Sequence, residues 1–359
     1  MGLFLHSRLD WLVIGLLVVS AVTYSFAEAP GKAAAVWVMQ DSRTAAGLRG
    51  LFSVDGRVAW AGGTDGTVLQ TVDGGAHWKT CAIPDGAADG ATLDIRGVQA
   101  WDAKEALVMA SGPGDKSRLF RTYDGCRSWI PELKEEFPQG RMDALVFQHG
   151  NFGFAIGDDR TGVLVGEPVG SQFETKVMVL GKGWFEDMNG CKVQAGDTAF
   201  AFSNSSIFVF GSRRYVLGVG GKAGAAVLIS PLMFNTSGSD PCRRVAVPIA
   251  GGVSSVYFRD LQHGVTVGGD AKKPEVGGAA FTSDMGLHWK AAATPPHGFR
   301  SAVAWSDGLK AWVAVGPNGS DVSRDDGKTW SRLEDGAWNA LSLPFAVGPQ
   351  GRIGRLAGK

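Results

Sequence analysis

The chain has 359 residues, 45% of them apolar, which is enough for one large domain or two ordinary ones with a real core. Its 35 basic residues balance 35 acidic ones, which excludes the net charge that draws a chain to nucleic acid or an anionic membrane. The 52 glycines and 12 tryptophans, with few long helical periodicities, point to tight turns, flat aromatic packing and an all-β fold.

The first predicted element is a targeting signal. A polar start with Arg8 leads into an apolar run from Trp11 to Val22, too short for a comfortable membrane span. Ser25–Ala27 has the small–x–small form of an export cleavage site. Residues 1–27 are therefore expected to be a signal peptide, leaving 28–359 as one exported domain, periplasmic or secreted, with no membrane span. Retention as an anchor is the alternative.

Beyond the signal, a turn motif recurs. It reads TVDGGAHW at Thr71–Trp78, TYDGCRSW at Thr122–Trp129, TSDMGLHW at Thr282–Trp289 and SRDDGKTW at Ser323–Trp330. The shared pattern is Ser/Thr-x-Asp-x-Gly-x-x-Trp, with Cys126 in the glycine slot of the second copy. The copies lie roughly 40–50 residues apart where they are consecutive, a period that signals a propeller or solenoid.

Each motif follows two apolar strands separated by a polar turn, as in RGLFSVDGRVAWAGG from Arg49 and RSAVAWSDGLKAWVAVG from Arg300. A third strand precedes the motif and a fourth opens at its tryptophan. Four short antiparallel strands per repeat make a propeller blade. Blades are expected at 45–84, 93–133, 140–181, 194–248, 252–295 and 298–333. The C-terminal stretch supplies only three strands. Ala33–Asp41 is expected to provide the fourth, closing a ring of seven blades and removing open sheet edges.

Repetition decides the role of the motif. Asp73, Asp124, Asp284 and Asp325 can each accept turn N–H groups, and glycine supplies positive φ. Trp78, Trp129, Trp289 and Trp330 can each pack between sheets. A catalytic site would converge once, whereas a packing device recurs in every repeat, so these residues are expected to be structural and His77 and His288 to be exposed turn residues. The motif resembles the Asp-box of sialidases and other bacterial-neuraminidase-repeat propellers, which implies the same structural role. The chain from 30 to 359 also resembles exported propellers related to photosystem II assembly and stability factors. That resemblance rests on the four motifs, GVTVGGD at Gly264–Asp270, FRSAVAW at Phe299–Trp305 and AVGPQGRIGRL at Ala346–Leu356.

Four cysteines, Cys81, Cys126, Cys191 and Cys242, form no CxxC, and the six histidines form no metal-like cluster. No metal or cofactor is expected. Export permits two disulfides, with Cys81–Cys126 and Cys191–Cys242 as one of three pairings. Free buried thiols are the alternative.

The binding hypothesis rests on arginine. Arg49, Arg96, Arg141 and Arg300 each stand where an inner strand is expected to begin, so a ring would gather them at one mouth of its channel. Their planar forks suit carboxylate or phosphate recognition. Pairing with nearby acids such as Asp94 or Asp143 is the structural alternative. The reading is a non-catalytic, monomeric binding protein that takes a protein or acidic ligand at that mouth, in the manner the resemblance implies. A glycan-directed hydrolase or lectin is the alternative. Against a sialidase, no tyrosine follows Tyr257, and the early Arg-Ile-Pro signature is missing. Asp102, Asp158 and Glu167 have no spacing that singles out an acid pair.

Overall fold

The computed structural model describes residues 36–134, 142–147, 153–157, 162–165, 177–179, 197–200, 203–210, 214–231 and 241–357. The expected signal peptide, Arg141, Asp158, Glu167 and Cys191 lie outside them. The strands fall within one compact unit, Ala34–Lys359.

Strands dominate the described residues and pair antiparallel in six sheets. The first sheet is a meander of Leu48–Ser53, Ala59–Gly63, Val68–Thr71 and Lys79–Thr80. The second is Ile95–Ala100, Ala106–Ala110, Arg118–Thr122 and Ile130–Lys134, and the third runs from Met142–Phe147 to Val177–Val179. Ala302–Ser306, Ala311–Gly316, Gly319–Ser323 and Ser331–Glu334 form another such meander. In the last sheet Ala340–Ser342, Phe345–Val347 and Ile353–Ala357 are joined on the outside by Val36–Gln40 from the other end of the chain, with Val36 opposite Ala357 and Gln40 opposite Ile353.

The remaining sheet has nine strands, because Arg214–Gly221 of one meander touches Gly252–Phe258 of the next through Gly220 and Gly252. A Cβ on Gly220 would stand 2.4 Å from the Gly252 Cα, so this approach requires glycine.

Local chemistry explains the hairpins. Asp55 Oδ1 accepts the N–H groups of Arg57 and Val58. Asp102 does the same for Lys104 and Glu105, and Asp260 for Gln262 and His263. A short acidic side chain thus satisfies the turn backbone between the first two strands of three different meanders.

The core lies between sheets. Trp60 packs with Ile95, Val98 and Phe120, joining the first two sheets. Leu48, Leu69 and Trp78 pack with Phe345 and Val347 of the last sheet. Trp37 and Trp338 meet with Val313 and Leu341. Among the first strands of the meanders, Leu48–Ser53 contacts Ile95–Ala100, which contacts Met142–Phe147, which contacts Ile207–Phe210. The series continues through Gly252–Phe258, Ala302–Ser306 and Ala340–Ser342, and the last of these contacts Leu48–Ser53.

Candidate functional site

The four repeated turns share one hydrogen-bond geometry. The Thr71 hydroxyl donates to Asp73 Oδ1 at 2.9 Å and accepts the Gly75 N–H at 2.9 Å. Asp73 Oδ1 also accepts the His77 N–H at 3.0 Å, and its Oδ2 meets His77 Nδ1 at 2.7 Å. His288 Nδ1 meets Asp284 Oδ2 at the same 2.7 Å. In the other copies the Ser128 hydroxyl donates to Asp124 at 2.7 Å and the Thr329 hydroxyl to Asp325 at 2.6 Å. The seventh position of the motif is therefore a donor slot, filled by Ser, Thr or His. His77 and His288 are exposed, as their turn position implies, but each closes its turn on the aspartate.

These bonds depress the carboxyls. The His77 N–H, and then its ring, hold Asp73 at about 2. The Ser128 hydroxyl and N–H lower Asp124 further. Burial pushes Asp284 and Asp325 up, but the combined bonds from His288 and from Thr329 leave both below the ordinary range. Each tryptophan then leans on the preceding sheet. Trp78 meets Phe345 edge-on at 5.6 Å, Trp330 packs against Val265 and Val267, and the Trp129 indole donates to Ala82 O at 2.8 Å. Trp289 packs with Ile229 and Val247.

The strand register separates Arg49 and Arg96 from Arg300. In the first sheet Leu48 lies opposite Gly63 and Gly50 opposite Gly62, so Arg49 is the extra residue of a β-bulge. The same bulge places Arg96 between Ile95 and Gly97, Asp143 between Met142 and Ala144, and Ser254 between Val253 and Ser255. Arg49 and Arg96 are thus equivalent, and Asp143 holds that slot in the third sheet, while Arg141 lies outside the described residues.

Arg300 is one residue out of step. Ser320 faces Val315, which faces Ala302, just as Val68 faces Gly62, which faces Gly50. Two residues earlier, Arg300 therefore occupies the position of the buried Leu48, and Asp321 that of the buried Leu69. Both are fully buried. Arg300 Nε donates to Asp321 Oδ2 at 2.6 Å, and its Nη1 donates to Asn318 Oδ1 and Phe299 O. The half-exposed His297 closes on the other Asp321 oxygen at 2.6 Å. A buried ion pair here replaces a leucine pair, so Arg300 does not face a ligand from the expected ring of four.

Arg49 and Arg96 remain partly exposed and converge on one carboxylate. Arg96 Nε donates to Asp94 Oδ2 at 2.9 Å, and Arg49 Nη1 stands 3.5 Å from the same oxygen. Asp94 leads into the second sheet, so the cluster joins two sheets at the end where their inner strands begin.

At the opposite end, a cavity of about 390 Å³ is lined by Phe52, Phe147, Tyr257 and Trp305 from the later part of their inner strands, by Phe208 of Ile207–Phe210 and by Leu343 just after Ala340–Ser342. The repeat pattern contains these residues without marking them. They become neighbours only when the strands are arranged side by side.

The remaining chemistry is structural in character. Cys81 and Cys126 form a disulfide with a Cα–Cα distance of 5.3 Å, tying the first sheet to the second repeated turn. Cys242 is also disulfide-bonded. Among the described residues, no group of three His, Cys, Asp or Glu side chains is placed to hold a metal ion. Asp102 is engaged in its turn, and burial pushes the Tyr215 phenol well above its ordinary range. Tyr257 is raised by burial and then by Asp307.

No protein-family model matches the chain, and no curated protein matches it in sequence. Solved structures do match in fold. YCF48 from Cyanidioschyzon merolae is 19% identical with a TM-score of 0.63, over 89% of this chain and 98% of that one. YCF48 bound to D1 peptide is 15% identical with a TM-score of 0.59, over 92% and 99%. The WD40 β-propeller domain of Doa1 is 10% identical with a TM-score of 0.57, over 90% and 97%. The fold is a β-propeller.

Proposed function

We propose that this chain is an exported, non-catalytic, monomeric propeller that binds an acidic segment of a partner protein, in the manner of an assembly factor. In this reading residues 1–27 are removed on export. The ring has seven blades, and the terminal strand Val36–Gln40 completes the last. The continuous series of contacts between inner strands supports that count. The four repeated turns are Asp-boxes, supported by their shared bonding of Asp73, Asp124, Asp284 and Asp325.

The observation that carries the binding site is the convergence of Arg49 and Arg96, one register slot in adjacent sheets, on Asp94. Planar guanidinium forks side by side suit an incoming carboxylate. A protein partner is supported by the likeness to YCF48, which has been seen bound to a D1 peptide.

The test is fluorescence anisotropy with a labelled Asp/Glu-rich peptide and its Asn/Gln counterpart. The acidic peptide is expected to bind with a steep salt dependence, and Arg49→Glu/Arg96→Glu to weaken it by at least ~10-fold. Equal binding of both peptides, or an unchanged double variant, overturns the site. Turnover of a sialoside or β-glucan panel by the purified protein overturns the non-catalytic assignment.

A further inference from the structure

We infer that the cavity at the other end of the inner strands is a second binding site, one that takes an uncharged aromatic or branched aliphatic side chain presented by a partner segment. It does not depend on the arginine mouth, because the two sites use opposite ends of the same strands.

The lining defines the ligand. Among the described residues around this cavity none carries a charge, although 19% of the chain is Asp, Glu, Lys or Arg. Phe52 and Tyr257 stand at one register position of their strands, just before the closing residue of the first hairpin, and Phe208 meets Tyr257 edge-on at 5.2 Å. Trp305, Phe147 and Leu343 complete an apolar wall. These rings are half-buried, so the cavity already holds them in place and a guest would lose little to ordering the wall.

Several polar atoms of the lining are committed to the protein. Asn204 Oδ1 accepts the Leu145 N–H, Ser342 Oγ accepts the Ser53 N–H, Ser205 donates to Ser255, and Gln99 Nε2 donates to Ala100 O. A sugar ring would bring hydroxyls that these engaged groups cannot satisfy, at a desolvation cost. A charged group would meet no counter-charge within the lining, and the nearby Asp307 and Arg259 are engaged with Trp305 and, for Arg259, with Asp326. A neutral apolar side chain matches the wall, and about 390 Å³ lies at the lower end of the range for ligand pockets, enough for one or two such side chains.

The experiment follows the Trp305 indole N–H by NMR in the full chain while N-acetyl-tryptophanamide, methyl glucoside or an Asp/Glu-rich peptide is added. Saturable shifts are expected with N-acetyl-tryptophanamide alone. Gln99→Trp, which fills the cavity from the wall, is expected to weaken that binding at least ~10-fold, while Gln99→Leu keeps it. Arg49→Glu/Arg96→Glu is expected to leave it unchanged, which separates this site from the arginine mouth. The inference is overturned by an absence of saturable shifts, by equal binding to Gln99→Trp, or by preference for the glucoside or the acidic peptide. It is also overturned if sedimentation shows a dimer that Gln99→Trp dissolves, because the occupant is then a second copy of the chain.

Discussion

The two ends of the inner strands are built on different physics. At the end where the strands begin, arginines are held by carboxylates. Arg300 is buried against Asp321, Arg96 and Arg49 share Asp94, and the buried Arg118 is surrounded by Asp85, Asp89 and Asp115. At the end where they finish, aspartates are held by backbone N–H groups in three of the first hairpins and by backbone and side-chain donors in the four repeated turns, around a cavity whose described lining is uncharged. One end gathers guanidinium groups around carboxylates. The other uses its acids as turn hardware and leaves aromatic rings facing the channel. A search for function that looks only for charged residues finds the first end and misses the second.

The sharpest way to break this contrast is at Arg300. Asp321→Leu strands a guanidinium that is fully buried, and is expected to cost about 3–5 kcal/mol in denaturant unfolding. Arg300→Leu/Asp321→Leu recreates the Leu48 and Leu69 arrangement and is expected to recover most of that loss. If the single variant unfolds like wild type, the ion pair is not a buried structural unit.

Acid should weaken the other end. Asp55, Asp73, Asp124, Asp260, Asp284, Asp307 and Asp325 all have lowered pKa values, and all sit in its turns. Because folding lowers these values, their contribution is complete above the ordinary carboxylate range. It is lost as pH falls through the folded values, about 2 for Asp73. Hydrogen exchange between pH 4 and 2 is expected to show the repeated turns losing protection as pH falls. Turns that keep full protection at pH 2 would contradict the assignment.

Smaller effects test the turn itself. Thr282→Val removes the acceptor of the buried Gly286 N–H and a donor to Asp284, and is expected to cost about 1–2 kcal/mol by thermal melting. His288→Ser keeps a donor in the slot that Ser128 fills in another copy, and is expected to stay within about 0.5 kcal/mol of wild type. A large loss from this last change would mean that the imidazole does more than close a turn.

Much of this architecture was legible in the chain. The motif at Thr71–Trp78 and its three repeats located turns that share one geometry, because Asp, Gly and Ser/Thr act through local backbone bonds. The strands of the first two repeats fall where their alternation places them, since side chains alternate between faces with a period of two. The donor role of His77 was hidden because Ser128, Thr329 and His288 have little in common except a donor at similar reach. The arginines misled for a different reason. Arg49 and Arg300 look equivalent in alignment, but a one-residue bulge shifts the register, and one step along a strand turns a side chain from the channel end into the core.

By itself, then, the sequence determined what acts over a few residues: the repeat, its turns, its strands and the tryptophan after each turn. Tertiary structure alone decided which side chains become neighbours across sheets. It buried Arg300 with Asp321, brought Arg49 and Arg96 to one carboxylate, and drew Phe52, Phe208, Tyr257 and Trp305 from distant repeats into one cavity. Those groupings depend on bulge register and on the packing of sheet against sheet, and neither leaves a mark within a single repeat.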